Sequence, residues 1–128
     1  MGGYRLADAE KRFAEIIWER EPLPSPELVK ICEKEMNWKK STTYTVLKKL
    51  CDKGLFQNEN AMVRARMSKE EFYGAQSREY VENVFAGSLP RFLTAFCSGR
   101  KLSLQEAEEM RRFIDENLKD EEIGDCLE

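Results

Sequence analysis

Three amphipathic stretches, two short extended ones and three more amphipathic stretches predict a mainly helical chain with one short β hairpin. The punctuation agrees with that order. Proline and glycine stand where stretches should stop, and Ser-x-x-Glu capping boxes stand where two of them should start. Of the 128 residues, 41% are apolar and 35% charged, which suits small cores under a long solvated helical surface. Disorder does not fit, because the apolar residues fall in periodic stripes.

The first helix is expected from Asp8 to Arg20, with Ala9, Phe13, Ile16 and Ile17 on one face and Trp18 on that face or against a neighbour. Glu21-Pro22-Leu23-Pro24 stops it, since each proline disfavours helical geometry in the residue before it. Ser25 as N-cap and Pro26 in the first turn start a second helix to about Met36, burying Leu28, Ile31, Cys32 and Met36. Asn37-Trp38-Lys39-Lys40 reads as a turn. A third helix follows from about Ser41 to Lys53, with Thr43, Val46, Leu47 and Leu50 inward and Gly54 at its C-terminal cap. Leu55-Phe56-Gln57 and Met62 to Arg66 read as the extended pair, with Asn58-Glu59-Asn60 between them.

Ser68-x-x-Glu71 and Ser103-x-x-Glu106 open the helices of the second half, and Gly87 and Ser98-Gly99 break them apart. Phe72, Tyr73, Gln76, Tyr80, Val84 and Phe85 form one stripe, Leu89, Phe92, Leu93 and Phe96 a second, and Ala107, Met110, Ile114 and Leu118 a third. Three short helices bury too little surface to stand alone. Residues 69–119 are therefore expected to form a three-helix dimerisation module, with Tyr80, Val84, Leu89, Phe92, Leu93, Phe96, Met110 and Ile114 against a second copy. The alternative is that these helices pack back on residues 1–68. Residues 120–128 form an acidic tail expected to fray.

The net charge of −3 hides a division. Residues 1–68 carry 13 basic and 10 acidic side chains, and residues 69–128 carry 8 and 14. Within 37–68, Lys39, Lys40, Lys48, Lys49, Lys53, Arg64 and Arg66 face only Asp52 and Glu59. A positive helix laid on a phosphate backbone releases counterions. Ser41, Thr42, Tyr44 and Thr45, with Lys48 and Lys49, surround the face opposite Val46, Leu47 and Leu50, and such side chains bond phosphates and base edges. Helix, turn, basic helix, hairpin is the layout of a winged helix-turn-helix. The expected DNA-binding residues are Lys39, Lys40, Ser41, Thr42, Tyr44, Thr45, Lys48, Lys49, Arg64 and Arg66, on a duplex partner. The competing reading is a winged-helix protein-interaction module whose basic face meets an acidic protein.

Other function classes are excluded by what is missing. With no histidine, the chain has no imidazole for a nucleophile triad or for a zinc, copper or haem site. Glu10 with Glu15, and Glu106 with Glu109, read as solvated helix faces, not catalytic pairs. No enzyme activity, cofactor or metal is expected. Cys32, Cys51, Cys97 and Cys126 show no C-x-x-C spacing, and the first three sit in apolar stripes as small hydrophobes. Met1 to Arg5 lacks a secretory apolar region, Leu6-Ala7 does not complete a myristoylation motif, and no run reaches the ~18 apolar residues needed to span a membrane. A reduced, cytoplasmic, soluble protein is expected.

Asp8-Ala9-Glu10, Ile16-Ile17-Trp18, the stretch Ser41-Thr42-Thr43-Tyr44-Thr45-Val46-Leu47-Lys48-Lys49-Leu50 with Lys53-Gly54-Leu55, and Gly87-Ser88-Leu89 with Phe96 together resemble the penicillinase-repressor (BlaI/MecI/CopY) family over residues 6–118. The resemblance implies an N-terminal winged-helix DNA-binding domain and a C-terminal helical dimerisation domain. It also implies a homodimer that represses promoters, antibiotic-resistance genes among them, by occupying operator dyads. By position, Ser41, Thr42, Thr45, Lys48 and Lys49 fall on the DNA-reading helix, and Leu89, Leu93 and Phe96 in the dimer helices. The departures are Ala7 where a hydroxyl cap is usual, a wing from Asn58 to Met67 without the Gly-Arg turn, Ala95-Phe96 where an Asn-Phe bond is cleaved, and Cys126 alone where copper-responsive members carry paired C-x-C motifs. Proteolytic induction and copper sensing are therefore not expected.

Overall fold

Asp8 and Glu10 in the first turn and Arg20 in the last complement the helix dipole, and α1 spans Asp8–Arg20 as expected. It buries Phe13, Ala14, Ile16 and Ile17, whereas Ala9 is exposed, because the first turn lies beyond the edge of the core. No hydroxyl caps it. The Glu10 carboxylate instead accepts the Ala7 N–H at 3.0 Å. The computed structural model describes residues 4–118, so the acidic tail and Cys126 lie outside the described residues.

The proline-rich break holds a strand that sequence alone did not show. β1 (Leu23–Pro24) pairs antiparallel with β3 (Met62–Ala65), Leu23 opposite Val63, and β3 pairs antiparallel with β2 (Phe56–Glu59). The sheet order β1-β3-β2 puts proline on an edge strand, where its missing donor costs little. This pairing also corrects the expected start of the second helix. α2 spans Ser25–Met36 with Pro24 as its cap, and Ser25 is the first helical residue. The Ser25 N–H donates to the Ala61 carbonyl at 2.8 Å, and its buried hydroxyl accepts from Tyr44 at 3.2 Å. Leu28 and Cys32 are buried, with Ile31 and Met36 packed beside them.

α3 spans Lys40–Asp52, one residue earlier than expected at each end, and buries Thr43, Leu47 and Leu50. Val46 is only half-buried. Gly54 takes a left-handed φ of 89°, so that its N–H and that of Leu55 reach back to the carbonyls of Cys51 and Leu50. The hairpin turn is Asn60-Ala61, both left-handed, and not Asn58-Glu59-Asn60. Asn58 and Glu59 pair within the ladder, leaving a two-residue loop that suits the twist of the strands. Leu55 and Arg66 fall just outside the strands, and the Leu55 carbonyl accepts the N–H groups of Arg66 and Met67.

α4 (Lys69–Phe85) opens on the Ser68 capping box. Ser68 accepts the Glu71 N–H at 3.0 Å, and Glu71 accepts the Ser68 N–H at 2.8 Å. Its expected single stripe divides in two. Phe72 is fully buried in the core with Phe13, Ile17, Leu28, Leu50, Phe56 and Val63, whereas Tyr80 and Val84 are exposed. Trp18 belongs to the neighbouring contact. Its ring lies 5.5 Å from Phe56 and 5.6 Å from Phe72, and its N–H donates to the Met67 carbonyl at 2.9 Å. Glu15 binds α4 to α1 through Lys69 at 2.8 Å and the Tyr73 hydroxyl at 3.0 Å. This arrangement of three helices, a hairpin and an added edge strand is a winged helix.

The chain divides into two compact units after Gly87, so α4 belongs with the first. The second unit contains α5 (Leu89–Phe96) and α6 (Leu104–Glu116), capped by Ser88 and Ser103. Leu118 lies past the end of α6 and is exposed. None of the described residues of this unit is buried. Phe96 stacks 5.2 Å under the Arg100 guanidinium, which also pairs with Glu106 at 2.9 Å. Leu93, Phe96, Leu102 and Met110 line an open groove of about 280 Å³.

Candidate nucleic-acid interface

The face of α3 turned away from Thr43, Leu47 and Leu50 carries Ser41, Thr45 and Lys48 at i, i+4 and i+7, with Thr42 beside them. All four are exposed. Lys39 and Lys40 are exposed at the start of the helix, where Lys39 is the extended cap residue. The structure thus gathers two lysines, three hydroxyls and Lys48 along one face. Lys48 pairs with Asp52 at 3.1 Å, an i,i+4 pair in open solvent that contributes little to stability.

The other expected residues differ in placement. Tyr44 is half-buried, braced by its hydroxyl on Ser25 of α2. Lys49 pairs with Glu10 of α1, and Lys53 donates to the Arg5 carbonyl at 3.0 Å. Arg64 is exposed on β3 opposite Gln57, on the sheet face that Val63 leaves. Arg66 is exposed past the end of β3, and its charge, like that of Lys48, acts on Cys51 near the end of α3. Glu10 and Ser25 were missed by sequence reasoning as parts of this region. Their partners come from other helices, and no spacing along the chain marks such pairs.

Electrostatics ties these elements together. The Lys49 hydrogen bond, then the Ala7 N–H, hold Glu10 below the usual carboxylate range. The Lys69 hydrogen bond, with help from Tyr73, does the same for Glu15. Burial pushes the thiols of Cys32 and Cys51 up. Cys32 is fully buried, and Cys51 and Cys97 are half-buried and free. Among the described residues no group of three His, Cys, Asp or Glu could hold a metal, and no helix is long and apolar enough to cross a membrane.

Of the residues expected at a dimer face, Tyr80, Val84, Leu89, Phe96 and Ile114 are exposed, and Phe92, Leu93 and Met110 are half-buried. Phe113, which the stripe on the last helix left out, is 64% exposed, and Leu104 is 73% exposed.

Residues 6–116 match the family model described as Penicillinase repressor. The chain belongs to the penicillinase-repressor family. Its relatives include the penicillinase repressor of Bacillus licheniformis, 20% identical over 117 residues that cover 88% of this chain and 91% of that protein. The methicillin resistance regulatory protein MecI of Staphylococcus aureus is 21% identical over 115 residues, 87% of this chain and 94% of that protein. As a penicillinase-repressor family member the chain is a DNA-binding transcriptional regulator and not an enzyme. The basic face of α3 lies within the matched residues, as do α5 and α6.

Proposed function

We propose that this protein is a homodimeric repressor that occupies an operator dyad and blocks transcription; its relatives are named a penicillinase repressor and a methicillin resistance regulatory protein. One observation carries the reading: Ser41, Thr45 and Lys48 line a single solvent-facing row of α3, in a winged helix whose core packs the opposite face of that helix. In this reading α3 lies in the major groove of each half-site. Lys39, Lys40 and Lys48 neutralise phosphates, and Ser41, Thr42 and Thr45 face base edges. Arg64 and Arg66, on and beside the hairpin, meet the flanking backbone. Tyr44 supports the helix from behind through Ser25.

A second copy covers the apolar side chains that residues 69–119 leave exposed, which sets two reading helices one or more DNA turns apart. The site of action is the cytoplasm, with the chromosome. Selection of genomic fragments by the purified protein, followed by footprinting, tests this directly. The expected result is a two-fold symmetric protected site. Lys48→Ala should weaken binding to every duplex and lower the salt slope by about one. Salt-sensitive capture of an acidic protein with no duplex bound would replace this reading with a protein-interaction module.

A further inference from the structure

The two adjacent lysines of α3 are held differently. Among the described residues Lys48 pairs with Asp52, on its own helix and in open solvent. Lys49 reaches across to Glu10 on α1, a residue 39 positions away, whose side chain is only 13% exposed. The Glu10 carboxylate also accepts the Ala7 N–H at 3.0 Å. Withdrawing Lys49 to a phosphate would leave the largely covered Glu10 carboxylate with the Ala7 N–H and the more distant Lys53 charge, a loss that the open-solvent Lys48–Asp52 pair does not carry. The next basic residue on this flank is also engaged, since Lys53 donates to the Arg5 carbonyl. Resting on the DNA-binding reading above, we infer that Lys49 is a positioning residue that fixes α3 against α1 through Glu10, and that it does not contact phosphate.

Its charge is already matched by Glu10, so binding DNA releases no counterion on its account. What the pair supplies is the set of α3 relative to the rest of the fold, on which Ser41, Thr42 and Thr45 depend to reach base edges. A phosphate contact would weaken binding to all sequences alike, whereas a loosened reading helix loses the operator preferentially.

The test titrates operator and random duplexes against salt with the full-length protein and with Glu10→Gln, Lys49→Ala, their combination and Lys48→Ala. Glu10→Gln is nearly isosteric and its amide oxygen still accepts the Ala7 N–H, so it serves even if Lys49→Ala unfolds. Glu10→Gln and Lys49→Ala should each weaken operator binding relative to random-duplex binding about three- to tenfold and combine with no further loss, and Lys49→Ala should leave the salt slope unchanged. Lys48→Ala should lower the slope by about one on both duplexes. A slope lowered by about one in Lys49→Ala, or operator binding strengthened relative to random duplex in Glu10→Gln, would overturn the inference and make Lys49 a phosphate contact restrained by Glu10. Absence of salt-dependent binding in the unmutated protein would remove the DNA reading itself, a result distinct from either.

Discussion

The two compact units begin from the same kind of sequence and end in opposite states of burial. Both are built of short amphipathic helices, and both contain a helix opened by a Ser-x-x-Glu box. In the first unit, Phe13, Phe56 and Phe72 are fully enclosed, because three helices, a sheet and the start of α4 surround them. In the second, α5 and α6 leave Leu89, Phe96, Leu104 and Phe113 at least half exposed. Periodicity decides that a helix forms and which face is apolar. How many elements surround that face decides whether it is buried.

The sharpest way to break this contrast is to remove a side chain from the closed core. Phe72→Ala should cost about 3–5 kcal/mol in urea denaturation, since its ring meets Trp18, Tyr4 and Tyr73 with no exposed surface. The tryptophan fluorescence of Trp18, 5.6 Å away, follows the transition. A loss under 1 kcal/mol would mean that α4 is not part of that core. The complementary change, Phe96→Asp, should leave the first unit's transition within about 0.5 kcal/mol while abolishing self-association in sedimentation. An unchanged mass would remove Phe96 from the interface.

Acid probes the struts around the first core. The carboxyl groups of Glu10 and Glu15 are both depressed, so their stabilisation is complete above the usual carboxylate range. It is lost as pH falls through that range into the depressed values. Lys69 is raised by the same Glu15 hydrogen bond, and its share is lost only at strongly alkaline pH. Glu15→Gln should therefore lower stability at neutral pH by up to about 1 kcal/mol and flatten its fall on acidification. An acid profile as steep as that of the unmutated protein would show that other groups control it. The smallest expected effect is a gain. Ala61 takes a φ of 61°, a conformation that strains a Cβ, so Ala61→Gly should stabilise by about 0.5 kcal/mol in thermal melts after the entropy cost of glycine.

Much of this is legible in the sequence, and the reasons are local. Ser68, Ser103 and Gly54 mark helix ends by side-chain and backbone chemistry within a few residues, and α1 runs over the expected Asp8–Arg20. The candidate reading face was legible too, because hydroxyls and lysines alternate with Thr43, Leu47 and Leu50 at helical spacing. Tertiary pairing left no such trace. β1 has two residues, one of them proline, and pairs with β3, about 40 positions further along the chain. Ser25 reads as a helix cap until that strand ends against it and Tyr44 takes up its hydroxyl. The Asn60-Ala61 turn escaped because alanine rarely occupies a left-handed position. Glu10 looked like one more solvated acid, and only the packing of α1 beside α3 brings it to Lys49.

Sedimentation equilibrium of the full-length protein at micromolar concentration tests the central contrast most directly. A closed reading head joined to an open apolar face predicts a dimer of twice the 15.0 kDa chain mass, reduced to 15.0 kDa by Phe96→Asp. A monomer at 15.0 kDa without that substitution would contradict it.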